Sequence, residues 1–214
     1  MDYMQTIIFA DLHGNLVALE KLLKLHSNIG NWISLGDNVN YGPWSNECID
    51  ILESDIKCQS ILGNHEEAFI AGEYRGTHPT VVKFFDHCIS SFDRREVIQK
   101  YPIELYFEGY TLVHTLENRY IYSDSHINID RNYLVGHSHE QYIIDRNGFN
   151  LINPGSLGQD RLFINRGNYL LYDHASKIFE KRHFTFDIDI LIQEMISQNY
   201  PAECVSYYKK KPRA

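Results

Sequence analysis

No apolar run in this 214-residue chain approaches the about 20 residues that a membrane-spanning helix needs. The first such run, Thr6-Ile7-Ile8-Phe9-Ala10, meets Asp11 after five residues, so neither a signal-peptide core nor a membrane span is expected at the N-terminus. The expected compartment is the cytoplasm. Cysteine is scarce: Cys48, Cys58, Cys88 and Cys204 are widely scattered and form no C-x-x-C pair, which excludes a disulfide scaffold and a thiolate zinc knuckle. They read as small buried or half-buried residues. Positive charge is also short, with 20 Lys and Arg against 28 Asp and Glu, a net charge of −8. Such a balance disfavours sequence-independent nucleic-acid binding, whose affinity comes from clustered Lys and Arg. The exception is Lys209-Lys210-Lys211-Pro212-Arg213, read as part of a solvated basic tail over residues 201–214. No internal repeat, low-complexity block or Pro/Gly/Ser-rich linker divides the rest, so residues 1–200 are expected to form one domain.

What the sequence does have is a recurring local pattern. Thr6–Ala10 runs into Asp11-Leu12-His13-Gly14-Asn15, Trp32-Ile33-Ser34-Leu35 into Gly36-Asp37-Asn38, and Ser60-Ile61-Leu62 into Gly63-Asn64-His65-Glu66. Tyr110–Val113 stops at His114, and Tyr133-Leu134-Val135 stops at Gly136-His137-Ser138-His139. Each short apolar run reads as a buried strand, followed at once by Asp, Asn or His. A helical pattern with Leu16, Leu19, Leu22, Leu23 and Leu25 on one face follows Asn15, a plausible N-cap, and Ile49 and Leu52 repeat it after Ser45 or Asn46. In open α/β sheets the carboxyl ends of parallel strands gather in one crevice, where ligands bind. That crevice would collect Asp11, His13, Asp37, Asn64, His65, His114, His137 and His139.

Farther along, Pro79 to Tyr101 reads as mostly helical, with Val82, Phe85 and Ile89 on one face. From Ile103 the pattern turns to strands. Tyr142–Asp145 and Phe149–Ile152 form one hairpin around Arg146-Asn147-Gly148, and Asn168–Asp173 with Ile178–Phe184 form another. Asp187 to Gln198 closes the domain as an amphipathic helix. A βα half followed by a β-rich half predicts an α/β fold of two β-sheets packed face to face, with helices outside.

Carboxylate and amide oxygens mixed with several imidazoles and no thiolate suit a transition metal such as Mn, Fe, Zn, Co or Ni. These are too many donors for one tetrahedral ion, but they suit two ions sharing a carboxylate. Two metals about 3.5–4 Å apart can activate water and stabilise an in-line displacement at phosphorus. The competing reading leaves them unrelated, with Asp11 a turn residue, Asp37 a cap and His114 a satisfied strand-end histidine. His26, His78, His87, His126, His174 and His183 follow no such strand end and are assigned to surface or helix-end roles.

The ordered set D-x-H, GD, GNHE, H and GHSH resembles the calcineurin-like metallophosphoesterases, from about Thr6 to about Asp187, and most closely their small single-domain bacterial members. Gly36-Asp37-Asn38-Val39-Asn40-Tyr41-Gly42-Pro43 resembles their GDxVxYGP segment, and Asn153-Pro154-Gly155-Ser156-Leu157-Gly158-Gln159 their NPGSxGQ. The resemblance implies a four-layer αββα sandwich of two mixed sheets. It implies one metal held by Asp11, His13 and His139, a second by Asn64, His114 and His137, and Asp37 bridging them. Gly136 would permit the close backbone approach that lets one tight turn serve both ions. His65 would stay unligated as a general acid, or hold the phosphate. Asn15 would touch a phosphate oxygen, or simply cap its helix.

The implied activity is hydrolysis of phosphomonoesters or phosphodiesters by metal-activated water, on a small phosphoester or nucleotide substrate such as a dinucleoside polyphosphate. Two departures bear on specificity. Protein phosphatases of the superfamily carry GDxVDRG, whereas this chain has Asn40 and Tyr41 in place of the Asp that pairs with the catalytic histidine and the Arg that grips phosphate. His114 is followed by Thr115-Leu116-Glu117 where small relatives often have Gly. A non-catalytic metal-binding scaffold is the alternative, although it would have no reason to keep His65 with the full ligand set. A nuclease fits the acidic charge poorly.

Overall fold

A computed structural model describes residues 2–214, with side chains from residue 4 onward. Strand β1 (Asp2–Phe9) shows why the first apolar run is central. Successive side chains on a strand point to opposite faces. Ile7 and Phe9 join a core shared with helices, while Ile8 joins a core shared with a second sheet. A strand covered on both faces reads as an unbroken apolar run. β1 pairs in parallel with β2 (Ile29–Ser34), which pairs in parallel with β3 (Gln59–Ser60). On its other edge β1 meets β9 (Arg166–Asp173) antiparallel, and β9 forms the expected hairpin with β10 (Ile178–Thr185). The first sheet therefore runs β10-β9-β1-β2-β3.

The second sheet contains β4 (Glu104–Phe107), β5 (Tyr110–Val113), β6 (Tyr133–Leu134), β7 (Gln141–Arg146) and β8 (Phe149–Pro154), in the order β4-β5-β6-β8-β7. β5, β6 and β8 are parallel, and β7 pairs antiparallel with β8. Asn147 and Gly148 close that hairpin with φ of 56° and 88°, the left-handed pair that a tight two-residue turn requires. Ile8, Ala10, Ile33, Leu35 and Ile61 of the first sheet and its strand ends pack against Leu112, Leu134 and Ile152 of the second. Both sheets are mixed, as predicted.

Helices α1 (Leu16–Leu25), α2 (Ser45–Asp50), α3 (Asn64–Ala71), α4 (Pro79–Ile89), α5 (Arg95–Ile98), α6 (Ile188–Ser197) and α7 (Ala202–Lys210) contribute to one core with Ile7 and Phe9. The outer face of the second sheet is covered differently. Ile121, with Leu116, Ile127 and Ile129 from the irregular segment 115–132, packs on Val135, Tyr142 and Leu151, so the fourth layer is loop where a helix is expected.

Several local expectations need correction. The N-cap of α2 is Trp44, not Ser45 or Asn46, because the Ser45 hydroxyl accepts from the Asn40 N–H at 3.1 Å. α2 then widens into a π-type turn over Ile51–Asp55. Residues 79–101 hold two helices separated by a break, and the buried face of α4 is Phe84, Phe85 and Cys88, with Val82 and Ile89 half-buried at its rim. Residues 201–214 are no solvated tail: α7 buries Cys204, Val205 and Tyr208, and Arg213 pairs with Asp189 at 2.6 Å. All four cysteines are buried and free, as expected. Among the described residues no helix is long and apolar enough to cross a membrane.

Candidate metal centre

The chain leaves β1, β2, β3, β5 and β6 on the same side of the two sheets, and its next residues converge. Five of the converging residues lie in the left-handed region: Asp11 (φ 55°), His13 (52°), Asp37 (57°), His137 (66°) and His139 (58°). That conformation costs a non-glycine residue about 1–3 kcal/mol and persists only where surroundings enforce it. The enforcement is visible in hydrogen bonds between the loops. Asp11 N–H donates to Gly36 O at 2.9 Å, His13 N–H to Asp37 O at 2.9 Å, and His137 N–H to Asp11 Oδ2 at 3.1 Å.

Two clusters result. In one, His139 Nε2 lies 3.3 Å from Asp11 Oδ1 and 3.1 Å from His13 Nε2. In the other, His114 Nε2 lies 3.1 Å from Asp37 Oδ2 and 3.2 Å from Asn64 Oδ1, with His137 completing the group. Asp37 also groups with His13 and His65, so its carboxylate lies between the two clusters. The structure thus brings together every residue the sequence proposes as a ligand, and places His65 among them.

The donor chemistry fits cations. His13, His114 and His139 each turn Nδ1 to a backbone carbonyl: Val39 O at 3.3 Å, Leu35 O at 2.7 Å and Gln159 O at 2.8 Å. A carbonyl only accepts, so each Nδ1 carries the proton and each neutral ring presents a lone pair at Nε2. His13 and His139 then oppose two lone pairs at 3.1 Å, and His114 opposes its own to the oxygens of Asp37 and Asn64. A divalent cation held in such a cluster would convert this repulsion into coordination.

Without ions, protons take up that charge. Burial alone would lower His114, yet the Asp37 and Asp11 carboxylates hold it up at about 10. His139 is likewise raised, by Asp11 against burial. Burial, reinforced by neighbouring imidazoles, pushes His13 down to about 3 and His137 to about 4. Burial would raise Asp11 and Asp37, but the histidines around them keep both lowered and ionised.

His65 is buried. Its N–H donates to Asp37 Oδ1 at 2.8 Å, and Asn40 Nδ2 donates to its Nδ1 at 2.8 Å. The residue marked by sequence as a departure therefore keeps the pairing, as a neutral amide in place of a carboxylate. Tyr41 sets its ring edge-on to His13 and His65, at 4.8 and 5.2 Å. Asn15 is drawn into the fold: its Oδ1 accepts from Ala18 N–H at 3.1 Å and its Nδ2 donates to Gly158 O at 2.8 Å.

Sequence reasoning missed several residues that position the centre. Glu66 is fully buried and accepts from the N–H groups of Asp37, Asn38 and Gly63 at 2.7, 2.6 and 2.9 Å. Asn153 Nδ2 donates to Gly136 O at 2.7 Å and to Ser138 Oγ at 3.1 Å, and Ser156 Oγ donates to Asp11 O at 2.7 Å. The signal was present in the GNHE and NPGSxGQ segments, whose remaining polar residues need partners if buried. Gly136 behaves as expected, since a Cβ there would lie 3.2 Å from Asp11 Oδ2. Gly63 is stricter: a Cβ would lie 2.2 Å from Asp37 Oδ1.

This architecture and centre define a metallophosphoesterase, and the chain belongs to the calcineurin-like phosphoesterase family, whose model matches residues 4–198. An uncharacterised protein of Methanocaldococcus jannaschii is 26% identical over 226 residues, covering 91% of this chain and 93% of that one. The crystal structure of a metallophosphoesterase from Sphaerobacter thermophilus shares the fold with a TM-score of 0.78 at 22% identity, over 97% of this chain and 99% of that one. A hypothetical protein from Pyrococcus horikoshii OT3 superposes with a TM-score of 0.78 at 15% identity, over 98% and 99%.

Proposed function

We propose that this protein is a dinuclear metal-dependent hydrolase of phosphomonoesters or phosphodiesters. Asp11, His13 and His139 would hold one divalent transition ion (Mn, Fe, Zn, Ni or Co), and Asn64, His114 and His137 a second, with Asp37 shared. Such a pair supplies Lewis-acid charge for the phosphoryl oxygens and lowers the pKa of the attacking water.

The observation that carries the reading is His65. It is buried beside both clusters, and the Asn40 amide holds its Nδ1 at 2.8 Å; a half-turn of that amide presents its otherwise unpartnered Oδ1 to the Nδ1–H of the imidazolium, whose second proton sits on Nε2. Water gives up one proton to solvent as its oxygen adds to phosphorus, the ester P–O bond breaks, and the leaving oxygen takes the Nε2 proton of the His65 imidazolium, which becomes neutral and is reprotonated from solvent. A scaffold that only bound metal would need neither that ring nor its amide partner. Asn15, committed to Gly158 and its helix, is left out of substrate contact.

A panel of phosphomonoesters, diesters, phosphopeptides and dinucleoside polyphosphates, each assayed with Mn, Zn, Ni, Co and Mg, tests the activity. His65→Ala is expected to keep both metals and lose about 10²–10⁴-fold in kcat on alkyl esters. Nitrophenyl esters, whose leaving group needs little protonation, should lose less. Loss of metal from His65→Ala would make His65 a ligand. A wild-type protein that binds two metals and hydrolyses nothing on the panel is a scaffold. Asp37→Asn is expected to lower metal content and kcat together.

A further inference from the structure

A cavity of about 480 Å³ opens beside the second cluster, lined by Asn64, Ala68, Ala71, Tyr74, Tyr120 and His137. We propose that it receives a planar aromatic group on the leaving side of the substrate, a nucleobase or an aryl ring; this rests on the hydrolase reading above.

Its two tyrosines are each tied to a histidine of the centre. The Tyr74 ring lies parallel to His65 within 9°, centroids 5.8 Å apart, and Tyr120 stacks on His137 at 4.1 Å and 17°. The alcohol that leaves with the His65 proton therefore departs beside Tyr74. Tyr120 is 57% exposed even though it stacks on His137 and lies parallel to Tyr122 at 6.4 Å, so much of the ring remains open to a ligand. Ala68 and Ala71, one turn apart on α3, supply small apolar wall between them. Gly76 lets the following chain close over Tyr74, since a Cβ there would lie 2.4 Å from a Tyr74 ring carbon.

Charge argues against a second phosphate here. Glu67 and Glu73 line the cavity with a single cation, Arg75, and Arg75 is already paired with Glu73 at 2.8 Å. A further anion would meet net negative charge. At about 480 Å³ the space falls within the about 300–1,000 Å³ typical of organic-ligand sites. Base–tyrosine stacking of this kind tolerates different bases, because every base offers a π-face.

Benzyl and butyl phosphate, each as monoester and as methyl diester, release primary alcohols and differ chiefly in the planar ring. The wild-type benzyl-to-butyl ratio of kcat/KM is expected to exceed about tenfold, and Tyr74→Leu or Tyr120→Leu to lower it about 5- to 150-fold, the range of stacking losses. Using the ratio cancels any loss common to both substrates. Adenosine 5′-monophosphate forms the second arm: preference for it over benzyl phosphate assigns the cavity to a nucleobase, the reverse to a simpler aryl ester. A wild-type ratio near one, or a ratio unmoved in both variants, overturns the inference while leaving the hydrolase reading intact. If nothing is hydrolysed, calorimetry still decides, because adenosine should bind wild type and bind Tyr74→Leu more weakly. Failure of adenosine and benzyl alcohol to bind wild type also overturns it.

Discussion

At His65 the chemistry depends on one neighbour. Burial pushes its pKa below 6.5, opposed in part by Asp37, and the Asn40 amide offers no charge to restore it. The imidazolium form is therefore lost as pH rises through that lowered value. Asn40→Asp places a carboxylate against Nδ1, which favours the protonated ring by about 1–3 pH units. The expected outcome is an alkaline limb of kcat displaced upward for an alkyl ester, with a smaller displacement for a nitrophenyl ester. An unmoved profile would remove Asn40 from the mechanism. The sequence showed that Asn stands where the superfamily's protein phosphatases carry Asp; it could not show that the pairing survives, because that depends on the turn geometry of Asn40 at φ 73°. Asn15 was ambiguous between cap and ligand, and its hydrogen bonds now favour the cap. Asn15→Ala should cost about 0.5–2 kcal/mol of stability in denaturant titration, with kcat on saturating metal little changed.

Among the elements, strands were legible and their exits were not. The apolar runs at Thr6–Ala10, Tyr110–Val113 and Tyr133–Val135 are buried and short, so composition alone marks them. The left-handed residues after them are held by hydrogen bonds from distant loops, and no local signal encodes those. The segment from Asn153 to Gln159 acts as a strap across both exits. Asn153 holds Gly136 and Ser138, Leu157 N–H donates to Ala10 O at 2.9 Å, and Gln159 O fixes His139. Asn153→Ala leaves the Gly136 carbonyl with only the Ser138 N–H at 2.7 Å, and each side-chain hydrogen bond removed is worth about 0.5–1.5 kcal/mol. Removing outer partners of metal ligands typically weakens metal binding about 10–100-fold. Metal titration followed by calorimetry should show that loss, together with a lower Tm. Wild-type metal affinity in this variant would mean that the strap only supports the fold.

Across the whole molecule, the least legible part was the last. Five residues from Lys209 to Arg213, four of them cationic, suggested solvent, yet Cys204, Val205 and Tyr208 form a buried stripe on α7. A short helix with few apolar positions gives a weak periodic signal, and strongly charged residues beside it mask that signal further. The stripe matters because Tyr208 packs against Phe84, ring centroids 5.9 Å apart, and its hydroxyl accepts from Gln159 Nε2 at 3.3 Å. Gln159 in turn holds His139 through its carbonyl, so α7 braces the strap that braces the first cluster. Tyr208→Ala should cost about 3–5 kcal/mol, as for other large buried aromatics. Lys209→Ala and Lys210→Ala, on the exposed face, should stay within about 0.5 kcal/mol. Thermal melts of the apo and metal-loaded forms measure both effects. If α7 braces the centre, Tyr208→Ala also narrows the rise in Tm on adding metal, because less of the folded population presents a formed Asp11–His13–His139 cluster. An undiminished rise would separate the helix from the centre and leave α7 with a purely structural part.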